Sequence, residues 1–267
     1  MDYTAAGAHA NQESELAFPR FFAVLAAAAA VSANAGAQDL APPIQALQKK
    51  GLEITGELPA AGGLKGYAGH MGQQPYALYL TPDGQHVIVG SVFDAHGENL
   101  TRSSLEQAVA QPMTKQTLKL LEDAAWVADG DAKAPRVVYV FSDPNCPYCH
   151  QFWKQSRPWV QDGKVQLRHI LVGVLRDTSP GKAAAILASA DPSRALADHE
   201  NRAQQGGIAP LSPVPAKQQA QLQANQALMA ELEMQGTPAI FYLKDGLLQA
   251  QTGAPRDEDL EEILGKR

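Results

Sequence analysis

Cys146 and Cys149 stand in the stretch VFSDPNCPYCHQFW, separated by Pro147 and Tyr148, and the chain contains no other cysteine. Three chemistries use such a pair: a structural crosslink, half of a metal site, or a dithiol that cycles. A crosslink closing so small a loop removes little entropy from the unfolded chain. A closed structural zinc site needs four ligands. His150 adjoins the pair, but no second C-x-x-C or H-x-H spacing follows. The pair therefore reads as a redox dithiol. An apolar run ends before Pro144 and a helical pattern opens at Pro147, which places Cys146 at a helix N-terminus. Unpaired N–H groups and the helix dipole favour an anion there. Thiols so placed ionise at about 3.5 to 7.5 against about 8.5 for a free cysteine. A depression of about two units is about 2.7 kcal/mol, which makes the couple more oxidising by roughly 60 mV. Cys146 is thus the expected accessible nucleophile. Cys149, one turn further in, is the sheltered partner that acts second.

Elements with matching periodicity surround the pair. RVVYVFSD is a continuous apolar strand of the kind covered on both faces. PYCHQFWKQSRPWV reads as a helix with Pro147 in its first turn, where the missing N–H is harmless. KVQLRHILVGV is a second strand, and PAIFYLKDGLLQAQTG is a hairpin about Asp245 and Gly246. An Ala- and Gln-rich stretch over about 178–234 reads as several helices, and DEDLEEILG as a last one. Strand, helix, strand, helices, hairpin, helix is an α/β layer arrangement with a mixed sheet. The earlier half differs. YALYLTPDGQHVIVGSVF reads as two strands joined through Pro82, Asp83 and Gly84, part of a small antiparallel sheet. AAGGLKGYAGHMGQQ, rich in glycine, suggests turns or bent strand edges. TKQTLKLLEDAAWV places Leu118, Leu121, Ala125 and Trp126 at helical spacing, a helix linking the halves.

GTPAIFY adds a Thr237-Pro238 pair that opens a strand well after the C-P-Y-C. With VYVFSDPNCPYCHQFW, RPWVQDGKVQLRHILVGV and AAAILAS, the chain resembles the DsbC/DsbG family of periplasmic thiol:disulfide interchange proteins, in particular DsbG-like members. This similarity is strongest from Val137 onward. It implies a thioredoxin-like catalytic domain over 134–267 with a helical insertion over about 178–234, an N-terminal dimerisation domain over 38–108 and a linker helix over 109–133. It further implies that Cys146 attacks, that Cys149 resolves and that the two form a redox-active disulfide. The substrate contacts would be Thr237 and Pro238, the latter cis, with Pro147 and Tyr148. The implied activity is disulfide isomerase and reductase, acting on wrong disulfides and on sulfenic acids of periplasmic clients. The implied partners are a second copy of the chain and a membrane reductase of the DsbD type. A chaperone role for the dimer cleft also follows from the family, and no metal or organic cofactor is required.

Residues 21–31, FFAVLAAAAAV, precede Ala35 and Ala37 in the small-x-small pattern of a secretory cleavage site, so 1–37 reads as a signal region cut before Gln38. Asp2, Glu13 and Glu15 precede the run with a single Arg, which fits a start codon assigned too far upstream. At 267 residues, 45% hydrophobic, with formal net charge −6 and no long basic run, the chain has room for two domains and lacks a nucleic-acid footprint. Two other functions compete: a disulfide-donating oxidase of the DsbA type, and a holding chaperone whose dithiol is secondary. An oxidase has no need of the N-terminal half, which favours the isomerase. The position six residues before Cys146, where thioredoxin has a buried acid, is Val140, so no base for Cys149 is evident. Asp143 reads as turn chemistry, His150 as either a tuner of the thiolate or a solvated helix position, and Trp153 and Trp159 as core or cleft wall.

Overall fold

The computed structural model describes residues 40–267, so the signal region expected over 1–37 lies outside the described residues. A short helix α1 (Pro42–Gln48) precedes a four-stranded antiparallel sheet of β1 (Glu53–Leu58), β2 (Lys65–Met71), β3 (Gln74–Leu80) and β4 (Val87–Val89), ordered β1-β2-β3-β4. Ile44 of α1 packs on Leu52, Tyr67, Leu78 and Leu80 on one side of the sheet. Alternate residues Leu58, Ala68, Ala77 and Tyr79 face the other side. The β3–β4 turn uses Pro82, Asp83 and Gly84, with Gly84 at φ 69° and its N–H donating to the Thr81 carbonyl.

The glycine-rich stretch makes the expected turns at Gly62–Gly63 and Gly72–Gln73, but its middle is the inner strand β2, in register with β3 from Lys65↔Leu80 to Met71↔Gln74. A Cβ on Gly66 would lie 2.5 Å from the Leu58 carbonyl oxygen, and one on Gly69 would lie 2.4 Å from that of Glu53. Glycine is needed there because the neighbouring backbone comes too close for a side chain.

Helix α2 (Arg102–Leu105) runs through a π-turn, Glu106–Ala110, into α3 (Gln111–Asp123). The helix stops earlier than its spacing predicts. Ala124 is extended, and Trp126 begins a strand, β5 (Trp126–Asp129), paired antiparallel with β7 (Val165–Leu171). The expected linker over 109–133 thus holds an edge strand of the second sheet. Helical spacing at Leu118 and Leu121 was real, since both pack in the core. Trp126 followed the same spacing by coincidence.

The second sheet is mixed, ordered β5-β7-β6-β8-β9, with β6 (Arg136–Ser142) parallel to β7 and antiparallel to β8 (Ala239–Lys244), which pairs with β9 (Leu247–Thr252). Helix α4 (Pro147–Gln161) crosses from β6 to β7. With α8 (Leu260–Leu264) it covers one face through Phe152, Trp159, Leu260 and Ile263 against Val138, Val140, Leu167 and Ile240. The other face, Tyr139, Phe141, Ile170 and Phe241, is covered by Leu121 of α3 and by Met229 of α7 (Ala216–Glu231). Cover on both sides explains the unbroken apolar run of β6. Between β7 and β8 lie α5 (Ser179–Leu187), α6 (Pro192–Asn201) and α7, joined in one apolar cluster by Ala183, Ile186, Leu196 and Leu222. Among the described residues no helix is long and apolar enough to cross a membrane.

Candidate active site

The β6–α4 junction carries the pair. Cys146 is the N-cap of α4, at φ −83° and ψ 115°, and Pro147 occupies the first turn. An N-cap side chain accepts a bond from the exposed N–H groups of the first turn. Here the acceptor is a sulfur: the Cys149 N–H donates to Cys146 Sγ at 3.3 Å. From across the site the cis Thr237-Pro238 segment approaches, and the Cys146 thiol donates to the Thr237 carbonyl at 3.3 Å. Both cysteines are free thiols. The structure therefore brings together Cys146, Cys149, Thr237 and Pro238, residues far apart in sequence.

The expected contrast between an accessible and a sheltered sulfur takes another form. Cys146 is 5% exposed and Cys149 4%, so accessibility barely separates them. Hydrogen bonding does. The Cys149 thiol, as a donor, does most to lower the Cys146 pKa, to about 6 against the opposition of burial, with the Thr237 side chain and the N–H groups of Cys149 and Tyr148 adding to it. Burial pushes Cys149 well above the ordinary thiol value, and the hydrogen bond to Cys146 and the charge of its thiolate push it further. The helix start thus contributes, but the largest influence is the partner thiol. One sulfur is poised to ionise while the other holds its proton.

Pro147 and Tyr148 lie on the rim, Tyr148 being 59% exposed. Tyr148, Gln151 and Gln155 of α4 line an open groove of about 440 Å³ with Gly253, Arg256 and Asp257. This groove adjoins the cis segment, because the Gly253 N–H donates to the Pro238 carbonyl at 2.7 Å.

Asp143 is committed to loop structure. It is 2% exposed, and its carboxylate accepts from Asn145 N (2.8 Å), Ser179 Oγ (2.8 Å), Val174 N (2.7 Å) and Leu175 N (3.0 Å). His150 is not a solvated helix residue: its Nδ1 lies 2.7 Å from Glu200 Oε2, and its ring stacks on Trp153 at 6.1 Å. Trp153 and Trp159 are each 6% exposed and serve as wall and core. Sequence reasoning missed Asn145 within the loop itself, and it missed Ser179, Lys182, His199 and Glu200, which reach the loop from the insertion. Nothing in their local spacing marks them, because only the fold of α5 and α6 brings them to the junction.

Residues 121–267 match the family described as a thioredoxin-like domain, and residues 26–102 match the disulfide bond isomerase protein N-terminal domain. The thiol:disulfide interchange protein DsbG of Pseudomonas aeruginosa is 52% identical over 239 residues, covering 88% of this chain and 93% of that protein. DsbG of Escherichia coli K12 is 41% identical over 240 residues, covering 90% and 97%. DsbC of Escherichia coli K12 is 29% identical over 236 residues, covering 86% and 89%. The matched N-terminal isomerase domain is the half that a DsbA-type oxidase would leave without a role, and that alternative is set aside. A dithiol at a helix start, faced by a cis Thr-Pro segment on a thioredoxin-like sheet and preceded by that N-terminal domain, places the chain in the DsbG family of thiol:disulfide interchange proteins.

Proposed function

We propose that the chain is a disulfide isomerase and reductase that uses Cys146 as nucleophile and Cys149 as resolving thiol. The observation that carries this is the split in acidity: Cys146 is drawn down to about 6 while burial pushes Cys149 up. At neutral pH the Cys146 thiolate attacks one sulfur of a client disulfide, forms a mixed disulfide, and expels the other client sulfur as thiolate. Two outcomes follow. Either the expelled thiolate finds a new partner and releases Cys146, which is isomerisation, or Cys149 loses its proton and displaces the client, leaving the Cys146–Cys149 disulfide. With a sulfenic acid as client, the Cys146 thiolate attacks its sulfur, hydroxide leaves as water on taking a proton, and Cys149 again releases the client as a thiol. Each reductive cycle leaves an oxidised pair, so an external dithiol donor of the DsbD type must supply two electrons.

Thr237 and Pro238, with Pro147 and Tyr148 on the opposite rim, are the proposed client contacts, an extended segment lying along the backbone before Pro238. The periplasm is the proposed compartment, resting on the family and on the secretory pattern before Gln38. A homodimer through the N-terminal sheet is supported by its edge. Strand β4 is three residues long, Ile88 and Val89 on it are 53% and 51% exposed, and Phe93 beside it is 59% exposed. An unpaired apolar edge calls for a partner strand. A chaperone function of the resulting cleft rests on the family alone.

The test is trapping. A Cys149→Ala variant in the cell envelope should accumulate mixed disulfides through Cys146, and Cys146→Ser should accumulate none. Multi-cysteine clients in the trap support isomerisation, and single-cysteine clients support sulfenic acid reduction. An empty trap, with refolding assistance intact in Cys146→Ser, would leave holding as the activity.

A further inference from the structure

The helical insertion holds the thiol segment at both ends. His199 and Glu200 are adjacent on α6, 2% and 6% exposed. His199 Nε2 lies 2.9 Å from the carbonyl oxygen of Pro144, two residues before Cys146. Glu200 Oε2 lies 2.7 Å from Nδ1 of His150, the residue after Cys149. Consecutive helical side chains diverge by about 100°, which lets one turn of α6 reach both flanks. The imidazole of His199 has a fixed role. The Ile208 N–H donates to its Nδ1 at 3.0 Å, so Nε2 carries the proton and donates to Pro144. Burial holds His199 below the ordinary histidine pKa, in keeping with that neutral form. Gly207, at φ 67°, lies so close that a Cβ there would come within 2.3 Å of Nδ1. A second grip comes from the start of α5. Ser179 Oγ donates to Asp143, Asn145 Nδ2 donates to Ser179 Oγ at 2.9 Å, and Lys182 Nζ donates to Asn145 Oδ1 at 2.7 Å.

We infer that His199 and Glu200 are positioning residues for the dithiol: helix α6 brackets the segment from Pro144 to His150 and thereby fixes Cys146 Sγ against the Cys149 N–H and the Thr237 segment. Neither residue touches a sulfur. Each acts through the residue it holds. Loss of His199 leaves the Pro144 carbonyl and the Ile208 N–H without these partners, and loss of Glu200 frees the first turn of α4 at His150. Hydrogen bonds weaken steeply with misalignment, so a small swing of the junction is enough to loosen the N-cap on the thiolate. The insertion would then act as the setting of the reactive thiol, beyond any part it plays in binding clients. This rests on the reading of Cys146 and Cys149 as the exchanging pair.

The experiment uses the full chain and follows Cys146 by thiolate absorbance against pH, with the glutathione equilibrium and thermal unfolding measured alongside. His199→Ala and Glu200→Ala should each raise the Cys146 midpoint by about one unit, a loss of thiolate of about tenfold at pH values below it. His199→Gln can still donate to Pro144 and accept from Ile208, and Glu200→Gln still offers His150 an oxygen, so both should restore the wild-type midpoint. Alanine variants that melt earlier but keep the midpoint and the glutathione equilibrium would overturn the bracket, leaving a structural contact. Glu200→Gln behaving like Glu200→Ala would also overturn it, by assigning the effect to charge. Should the alanine variants not fold, Glu200→Asp retains the charge with a shorter reach, and an unmoved midpoint in it refutes positioning. If wild-type Cys146 itself titrates as an ordinary thiol, the exchange reading fails, and the bracket with it.

Discussion

A cysteine becomes a tool when its surroundings prefer one protonation state. Cys146 has a thiol donor, the Thr237 segment and the N–H groups of a helix start around it, and these outweigh the burial that opposes ionisation. Alkylation by a small reagent should therefore follow a single titration with midpoint near 6, the rate rising with pH because the thiolate is the reactive form. Cys149 should stay unreactive in the folded protein through neutral pH, since burial holds it protonated. Mass mapping of the alkylated sites checks both. A midpoint at the ordinary thiol value, or modification of Cys149 first, would reverse the assigned roles. Asp143 shows the opposite commitment. A carboxylate accepting bonds from Asn145, Ser179, Val174 and Leu175 has spent its lone pairs on the loop and is not placed as a base.

Among the elements, β5 and α4 are tied together by a half-buried ionic cluster. Asp129 on β5 forms a two-point pair with Arg157 on α4 and lies 3.5 Å from His169 Nε2 on β7, while Arg157 also sits over the Trp153 ring at 4.2 Å. Burial alone would raise the Asp129 pKa, but His169 and Arg157 outweigh it and hold the carboxyl below its ordinary range. Its folded value being depressed, its contribution is complete above the unfolded value of about 3.9 and fades as pH falls through the folded one. Asp129→Asn should cost about 1 to 3 kcal/mol at pH 7, because it leaves a half-buried guanidinium without its carboxylate. The deficit should shrink in strong acid. Denaturant unfolding at both pH values measures this, and an equal deficit at both would mean packing, not charge. In the N-terminal sheet, Gly66→Val should destabilise by about 1 to 3 kcal/mol, since its Cβ would meet the Leu58 backbone at 2.5 Å. An unchanged unfolding midpoint would show that β1 and β2 can separate freely.

For the whole molecule, the exposed apolar residues Ile88 and Val89 on the edge strand β4 are the proposed dimer contact. Ile88→Glu and Val89→Lys should each shift the chain from dimer toward monomer on a sizing column, while dithiol reactivity toward a small disulfide persists. A monomeric wild type would remove the proposed assembly. Much of this molecule was legible in the order of its residues. Local periodicity and turn chemistry marked β6, α4, β7 and the β8–β9 hairpin, because strand alternation, helical spacing and Asp-Gly turns depend on near neighbours. The C-P-Y-C pair likewise declared a dithiol, since the constraint that matters, a thiol at a helix start, is written in adjacent residues. Glycines 66 and 69 and Trp126 misled, because a strand pressed against its neighbour and an edge strand beside β7 are defined by partners distant in sequence. What only the tertiary structure decided is what surrounds and holds the acidic thiol that the helix start already marks as Cys146. The Thr237 carbonyl and the His199 and Glu200 grips reach Cys146 and its flanks through space, and hydrogen bonds and burial act over a few ångströms whatever the sequence separation.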